Sequence, residues 1–228
     1  MAEELAPGVW FLDLGLIRPV ETNCYLVDDG EVTLVDTGLW WNRPSMDAEL
    51  AEAGYSVADI DRVLLTHYDL DHTTGLRHLP AFEGPIYIGQ DDYDLYTGAS
   101  DPPLIHHKGL FHRLVRPFFP LPSDADVRPV ADGERIGNFT AYHTPGHNPG
   151  HLAYVHESGA AFVGDLIWED DGELTSPIWF DSYDMAQLRE SIVAFVEAVP
   201  DVSVIAMGHG TPVTADAQTL LRDLASRL

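Results

Sequence analysis

The stretch "LLTHYDLDHTTGL", from Leu64 to Leu76, crowds His67, Asp69, Asp71 and His72 together directly after an apolar run. Imidazole and carboxylate are the nitrogen and oxygen donors that proteins offer to divalent ions. Three further positions repeat the arrangement singly. His147 falls in the Pro-Gly turn of "YHTPGH", Asp165 ends the buried-looking run "AFVGD", and His209 follows the apolar run of "VIAMGHG". Strands fix backbone position, so short side chains at their ends can be aimed at one point. Together these are seven N/O donors with no thiolate. Two divalent ions about 3.5–4 Å apart need such a set, with Asp165 bridging and positions left for water. His78, His106, His107, His112, His143 and His156 are read as ordinary core or surface histidines.

The elements that must position these residues alternate along the chain. Residues 9–13, 23–28 and 32–36 are β-rich apolar runs, the last two joined by a hairpin turn at "DDGEV". A helix is expected over 45–53, capped by Ser45 and stopped by Gly54. Strands follow at 62–66, where the first cluster begins, and at 85–89. The β pattern returns at 135–142, 151–155 and 160–164. A helix over 184–199 carries apolar Met185, Leu188, Ile192, Phe195, Val196 and Val199 at helical spacing. A strand at 202–207 and a terminal helix from about Ala215 complete the chain, which reads as one domain over 1–228.

Composition bounds the chemistry further. Among 228 residues, 37 acids face 12 basic residues, giving a net charge of −25, and Lys108 is the single lysine. Such a charge repels nucleic acid and anionic membranes, so neither is expected as a partner; a small-molecule substrate is. The excess of Asp with Arg in place of Lys resembles proteins adapted to molar salt. No apolar window is long enough to span a membrane, and "MAEELAPGVW" lacks the pattern of a signal peptide. With Cys24 as the single cysteine, no intrachain disulfide is possible. A cytoplasmic location is expected.

The order of the donors resembles the metallo-β-lactamase superfamily, whose motif is His-x-His-x-Asp-His followed by a lone His, a lone Asp and a lone His. The resemblance runs through nearly the whole chain. It implies an αβ/βα sandwich (an α/β fold of four layers) with two mixed sheets flanked by helices and metals at one sheet edge. It places His67, residue 69 and His147 around one metal, and Asp71, His72 and His209 around a second, with Asp165 between them. Asp36 in "LVDTG" matches a family acid that holds a ligand histidine through its other ring nitrogen. Alone, it reads as an Asp before Gly capping a turn. His151 is expected to be a buried hydrogen-bonding residue outside the ligand set.

Asp69 departs from the family pattern, which has a histidine there. A carboxylate adds charge and a harder donor, moving the preference from Zn toward Fe or Mn. Flavodiiron proteins of the same superfamily carry a Glu at this position and bind iron, but they also carry a flavodoxin-like domain for which this chain is too short. The resemblance implies two divalent metal ions and a hydrolase using a metal-bound hydroxide on a small ester, thioester or lactone. In this reading Asp71 orients the nucleophile while helping to hold the second metal, and one metal or Tyr183 stabilises the oxyanion. The alternatives are an O₂-handling diiron protein and a one-metal binding protein. β-Lactamases are usually exported, lactonases typically carry Tyr where Trp168 stands, and RNA-processing members need a basic exosite. Those three activities are disfavoured.

Residues 91–125 hold most of the local positive charge and many aromatics, and read as a substrate-shaping insertion. Lys108, Arg113 and Arg116 are candidates to bind an anionic substrate, and Phe111, Leu114, Phe118 and Phe119 to line an apolar pocket. In the alternative reading the segment is a cover whose cations meet nearby acids. "PIWFDSYD" at 177–184 is expected to form the opposite wall.

Overall fold

The computed structural model describes residues 1–15, 22–42, 44–79, 82–118, 122 and 124–228. The chain opens with β1 (Glu3–Ala6), β2 (Val9–Asp13), β3 (Asn23–Asp28), β4 (Val32–Val35), α1 (Met46–Ala53), β5 (Arg62–Leu64) and the short α2 (Leu70–Thr73). Next come β6 (Ile86–Gly89), α3 (Gln90–Thr97), α4 (His107–Val115) and β7 (Val127–Val130). The second half holds β8 (Arg135–Ile136), β9 (Phe139–His143), β10 (Leu152–His156), β11 (Ala160–Gly164), β12 (Trp168–Asp170), β13 (Glu173–Thr175), α5 (Met185–Ala198), β14 (Val204–Met207) and α6 (Ala217–Ser226).

β1 to β7 form one sheet in chain order. It is antiparallel through β4 and parallel from β4 to β7. The second sheet runs β14-β11-β10-β9-β8, with β14 parallel to β11. Period-2 alternation explains the layers. Tyr25, Val27, Val35 and Leu64 of the first sheet share a buried cluster with Tyr154, Phe162, Val204 and Ala206 of the second. The alternate residues Leu26, Leu34, Val63 and Ile86 pack instead with Met46 and Leu50 of α1 and Leu95 of α3. On the other side Val155, Val163 and Ile205 pack with Leu188, Ile192 and Phe195 of α5 and Leu221 of α6. Helices therefore cover both outer faces, which is the expected αβ/βα sandwich. No helix among the described residues is long and apolar enough to cross a membrane.

Local chemistry sets the element ends. Ser45 Oγ accepts from Ala48 N at 3.4 Å, and Gly54, at φ 90°, ends α1. The strand expected over 135–142 is two strands: Gly137 takes φ 58°, and Ile136 pairs with Phe139 across a two-residue turn. The β12–β13 hairpin turns on Asp171 (φ 50°) and Gly172 (φ 87°), a left-handed pair suited to an Asp-Gly turn. β7 carries Pro129 and is the last strand of its sheet, where a residue without an N–H is tolerated. The segment 91–125 contains α4 and most of α3, and leads into β7.

Candidate metal centre

Every candidate donor lies at a strand end, in the turn beyond one or, for Asp71 and His72, in the short α2 that follows β5. The backbone ties these turns together: Thr37 N donates to His72 O at 2.9 Å, and Gly208 N to Gly164 O at 2.9 Å. Gly208 is where the fold needs a missing side chain, because a Cβ there would lie 2.2 Å from Asp165 Oδ1 and 2.7 Å from His72 Cε1. The turns bring donor atoms of all seven candidates into overlapping groups. His67, Asp69 and His147 form one, Asp71, His72 and His209 another, and Asp165 joins His67 and His72 in a third, the donor atoms of each lying within 4.8 Å of one another. Asp165 lies between the two halves: its Oδ1 is 3.5 Å from His72 Nε2, and its Oδ2 is 3.3 Å from His209 Nε2 and 3.5 Å from His147 Nε2. A fourth group brings in Asp181, which the sequence reading had not singled out.

One carboxylate behind the cluster orients two of the imidazoles. Asp36 Oδ1 accepts from Thr66 N at 2.8 Å, and Oδ2 accepts from Thr66 Oγ1 at 2.7 Å. Oδ2 also lies 2.9 Å from His72 Nδ1, and Thr66 Oγ1 lies 3.0 Å from His67 Nδ1. Since the Thr66 hydroxyl gives its proton to Asp36, it accepts from His67 Nδ1–H. Both rings thus keep their protons at Nδ1 and turn Nε2 toward the cluster. Asp36 does this from φ 59°, a left-handed conformation that Asp tolerates better than most residues. His151 has the supporting role expected of it: Asp165 N donates to its Nε2 at 3.1 Å, and its Nδ1 meets Thr144 Oγ1 at 2.8 Å.

The electrostatics are those of a buried anionic pocket. Burial alone would raise Asp165, but His209 and His72 hold it well below the usual carboxylate range. Asp71 follows the same logic: burial raises it, while His72 and His209 bring it down to about 2. Burial would lower His72 and His209, yet Asp36 for the first and Asp165 for the second lift them well above an ordinary imidazole. His67 lacks so close an anion, and burial, with His72 adding to it, lowers it to about 4. The pocket therefore gathers positive charge around its carboxylates.

The residues present fit a divalent ion. The buried atoms His67 Nε2, His72 Nε2 and Asp165 Oδ1 have no hydrogen-bond partner among the described residues. Buried polar atoms are seldom left so, and these three belong to one cluster of mutually close donors. All are lone-pair donors of the N/O type that Zn, Fe and Mn accept.

Helix α4 contributes residues that sequence reasoning placed elsewhere. Lys108, only 3% exposed, is turned into the donor cluster: its Nζ is 2.7 Å from Asp69 Oδ2 and 2.8 Å from His147 Nε2, and it donates to Asp181 O at 2.8 Å. His112, taken for an ordinary histidine, lies with Nε2 3.2 Å from Asp69 Oδ1. Asn148 Nδ2 donates to the same oxygen at 2.8 Å. Burial pushes Asp69 up, but the Lys108 charge, then His67 and His112, hold it well below the usual range. Arg113 and Arg116 pair with Asp101, at 3.1 and 3.6 Å. Phe111, Leu114 and Phe118 are exposed, and Phe119 lies outside the described residues. Tyr183 reaches the cluster through His112, its hydroxyl 3.5 Å from His112 Nδ1, with its ring stacked on His106. The one signal for Lys108 was its being the only lysine in the chain.

Comparison with known proteins places this geometry. The family model of the metallo-beta-lactamase superfamily matches residues 17–209. The hydroxyacylglutathione hydrolase GloC of Haemophilus influenzae is 28% identical over 205 residues, covering 87% of this chain and 90% of its own. Among solved structures, the metallo-beta-lactamase family protein TTHA1429 of Thermus thermophilus superposes with a TM-score of 0.73 at 23% identity, covering 98% of this chain and 80% of its own. TTHA1623, solved in a di-iron-bound form, gives a TM-score of 0.65 at 28% identity, covering 90% of this chain and 96% of its own. With the family model spanning most of its length and the ligand cluster assembled at one edge of the sandwich, the chain belongs to the metallo-β-lactamase superfamily.

Proposed function

We propose that the protein is a metal-dependent hydrolase of a small carbonyl substrate, with a thioester favoured over an ester or lactone. The observation that carries the hydrolase reading is the buried cluster of unpartnered His and Asp donors. The thioester preference draws on the likeness to GloC, since a hydroxyacylglutathione is a thioester. A divalent ion held by His72, His209, Asp71 and Asp165 would activate water and polarise a carbonyl. Lys108 bears on whether a second ion shares the pocket.

The chain's own groups divide the remaining work. Asp71 and His209 are the ligands nearest solvent, with side chains 30% and 14% exposed, so substrate enters past them. Asp71 stays ionised near neutrality and can accept a hydrogen bond from an attacking water, holding it in line. Burial raises the Tyr183 phenol, which therefore stays protonated and can donate to a developing oxyanion between α4 and the 177–184 segment. His107, stacked on Phe180 and edge-on to Trp179, joins those two walls. The acidic surface is read as adaptation to high salt, in a cytoplasmic setting.

A panel of an S-acyl glutathione, an aryl ester and a lactone, offered to metal-loaded protein, tests the reading. Turnover should be fastest on the thioester. A metal-loaded, folded protein inert toward all three would remove it. A redox reading has one observation in its favour, the di-iron form of TTHA1623 together with the anionic Asp69; oxygen consumption by iron-loaded protein would support it.

A further inference from the structure

We infer that Lys108 serves as the built-in cation of the first metal subsite, so that the centre holds one divalent ion, at Asp71, His72, His209 and Asp165. The inference rests on the metallohydrolase reading and deepens it.

Lone pairs decide what the first subsite can hold. A metal in the first subsite would need His67 Nε2, Asp69 and His147 Nε2. An imidazole nitrogen has a single lone pair in the ring plane. Lys108 is donor-only, so at 2.8 Å the His147 Nε2 lone pair receives its N–H and is not available to an ion. His147 can hold its own proton only at Nδ1, which faces Ser182 Oγ at 3.4 Å. The same ammonium lies 2.7 Å from Asp69 Oδ2 and donates to Asp181 O at 2.8 Å, so each of its three N–H groups has an acceptor. Asp69 is also held through its other oxygen, by Asn148 and beside His112. Two of the three first-subsite ligands are thus occupied by a protein cation.

The second subsite differs. Among the described residues its ion pairs join His72 and His209 to Asp71 and Asp165, and His72 Nε2 and Asp165 Oδ1 lack a hydrogen-bond partner there. Asp71, His72 and His209 donor atoms lie within 4.8 Å of one another. An ion can take these donors without displacing a hydrogen bond to His72 Nε2 or Asp165 Oδ1.

The choice of residue fits the task. The chain otherwise uses arginine for its basic side chains and has one lysine, buried here. A compact ammonium with three donors can fill a position meant for a small cation, whereas a planar guanidinium cannot. Asp69 then has a reason to stand where the superfamily pattern has histidine. A carboxylate gives the buried lysine its counter-charge, which a third imidazole would not.

The test is metal stoichiometry after equilibration with excess Zn²⁺ or Mn²⁺ and desalting, read by mass spectrometry, with the Mn²⁺ electron paramagnetic resonance spectrum as a second readout. The parent should hold one ion per chain and give an isolated six-line signal. Lys108→Met, which keeps the stem but removes the donor, should hold two and give a spin-coupled signal. Within the parent background, His67→Ala should keep the single ion and His72→Ala should lose it, a comparison that does not require the lysine variant to fold. Two ions in the parent would overturn the inference, as would one ion in both parent and Lys108→Met, or an ion lost with His67 but kept without His72. A folded parent that binds no ion would overturn the metallohydrolase reading itself.

Discussion

Replacing Asp36 by Asn should lower metal affinity about 10–100-fold while leaving the fold intact. The size follows from counting acceptors. Asp36 meets three donors: Thr66 N on Oδ1, and Thr66 Oγ1 and His72 Nδ1 on Oδ2. An Asn side chain keeps one acceptor oxygen, and its NH₂ must face donors on the other side. Thr66 N–H is fixed by the backbone, so the amide oxygen stays on it and the NH₂ turns toward Thr66 Oγ1 and His72. The hydroxyl can rotate. His72 answers by moving its proton from Nδ1 to Nε2, the atom aimed into the metal cluster. Before an ion can bind, that tautomer must be reversed against a donor–donor contact, a buried hydrogen-bond loss of about 1–3 kcal/mol. At about 1.4 kcal/mol per factor of ten, this is one to two decades in Kd. Asn is also the substitution best suited to φ 59°, so backbone strain should not confuse the result. Competition for Zn²⁺ against a chromophoric chelator, with circular dichroism checking the fold, reads the effect. A folded Asp36→Asn protein with affinity within twofold of the parent would refute the relay from Asp36 to the ligand imidazoles.

Other outcomes are equally specific. Asp69→His takes from Lys108 its buried carboxylate partner and should cost the metal-free protein about 3–5 kcal/mol. With Lys108 still donating to His147 Nε2 the count should stay at one ion, whereas Asp69→His combined with Lys108→Met should hold two and shift preference toward Zn, which metal counting after mixed-metal loading checks; a second ion in Asp69→His alone would mean that Lys108 does not block the subsite. His67 is lowered from 6.5 to about 4, so between those values the unfolded chain binds the extra proton, and metal-free stability is undiminished by this group above pH 6.5 and falls by up to about 3 kcal/mol as pH drops to 4. A nuclear magnetic resonance titration should find the His67 ring still neutral at about pH 5, and a midpoint near the ordinary 6.5 would contradict its enclosure. With a net charge of −25, the thermal midpoint should climb from low to molar KCl, by roughly 2–4 °C for each kcal/mol of repulsion relieved; a flat or falling curve would contradict adaptation to salt.

The strands and the candidate donors were legible in the sequence because each rests on local pattern, while the layering came from the family resemblance. Continuous apolar runs in "NCYLV" and "AAFVG" marked strands that bury both faces, and His147, Asp165 and His209 stood out as lone polar residues beside such runs. The Asp-Gly turn of β12–β13 was also present in "EDDGEL", but the flanking strands have only three residues each, too short to show a period. The lining by α4 was not legible. Lys108 and His112 sit four residues apart on one helical face, a spacing equally suited to a surface helix, and only the placement of α4 over the cluster turns that face inward. Asp181 was hidden for the same reason, its partners lying far along the chain at Lys108 and His147.

If this cluster hydrolyses its substrate with a divalent ion, catalysis must come and go with that ion. Protein stripped with chelator and confirmed metal-free should lose thioester hydrolysis, and should regain it in proportion to the ion restored. His72→Ala, taken through the same cycle, should regain neither ion nor rate. Hydrolysis that continues at the parent rate in metal-free protein, or that returns fully in His72→Ala, would contradict the claim.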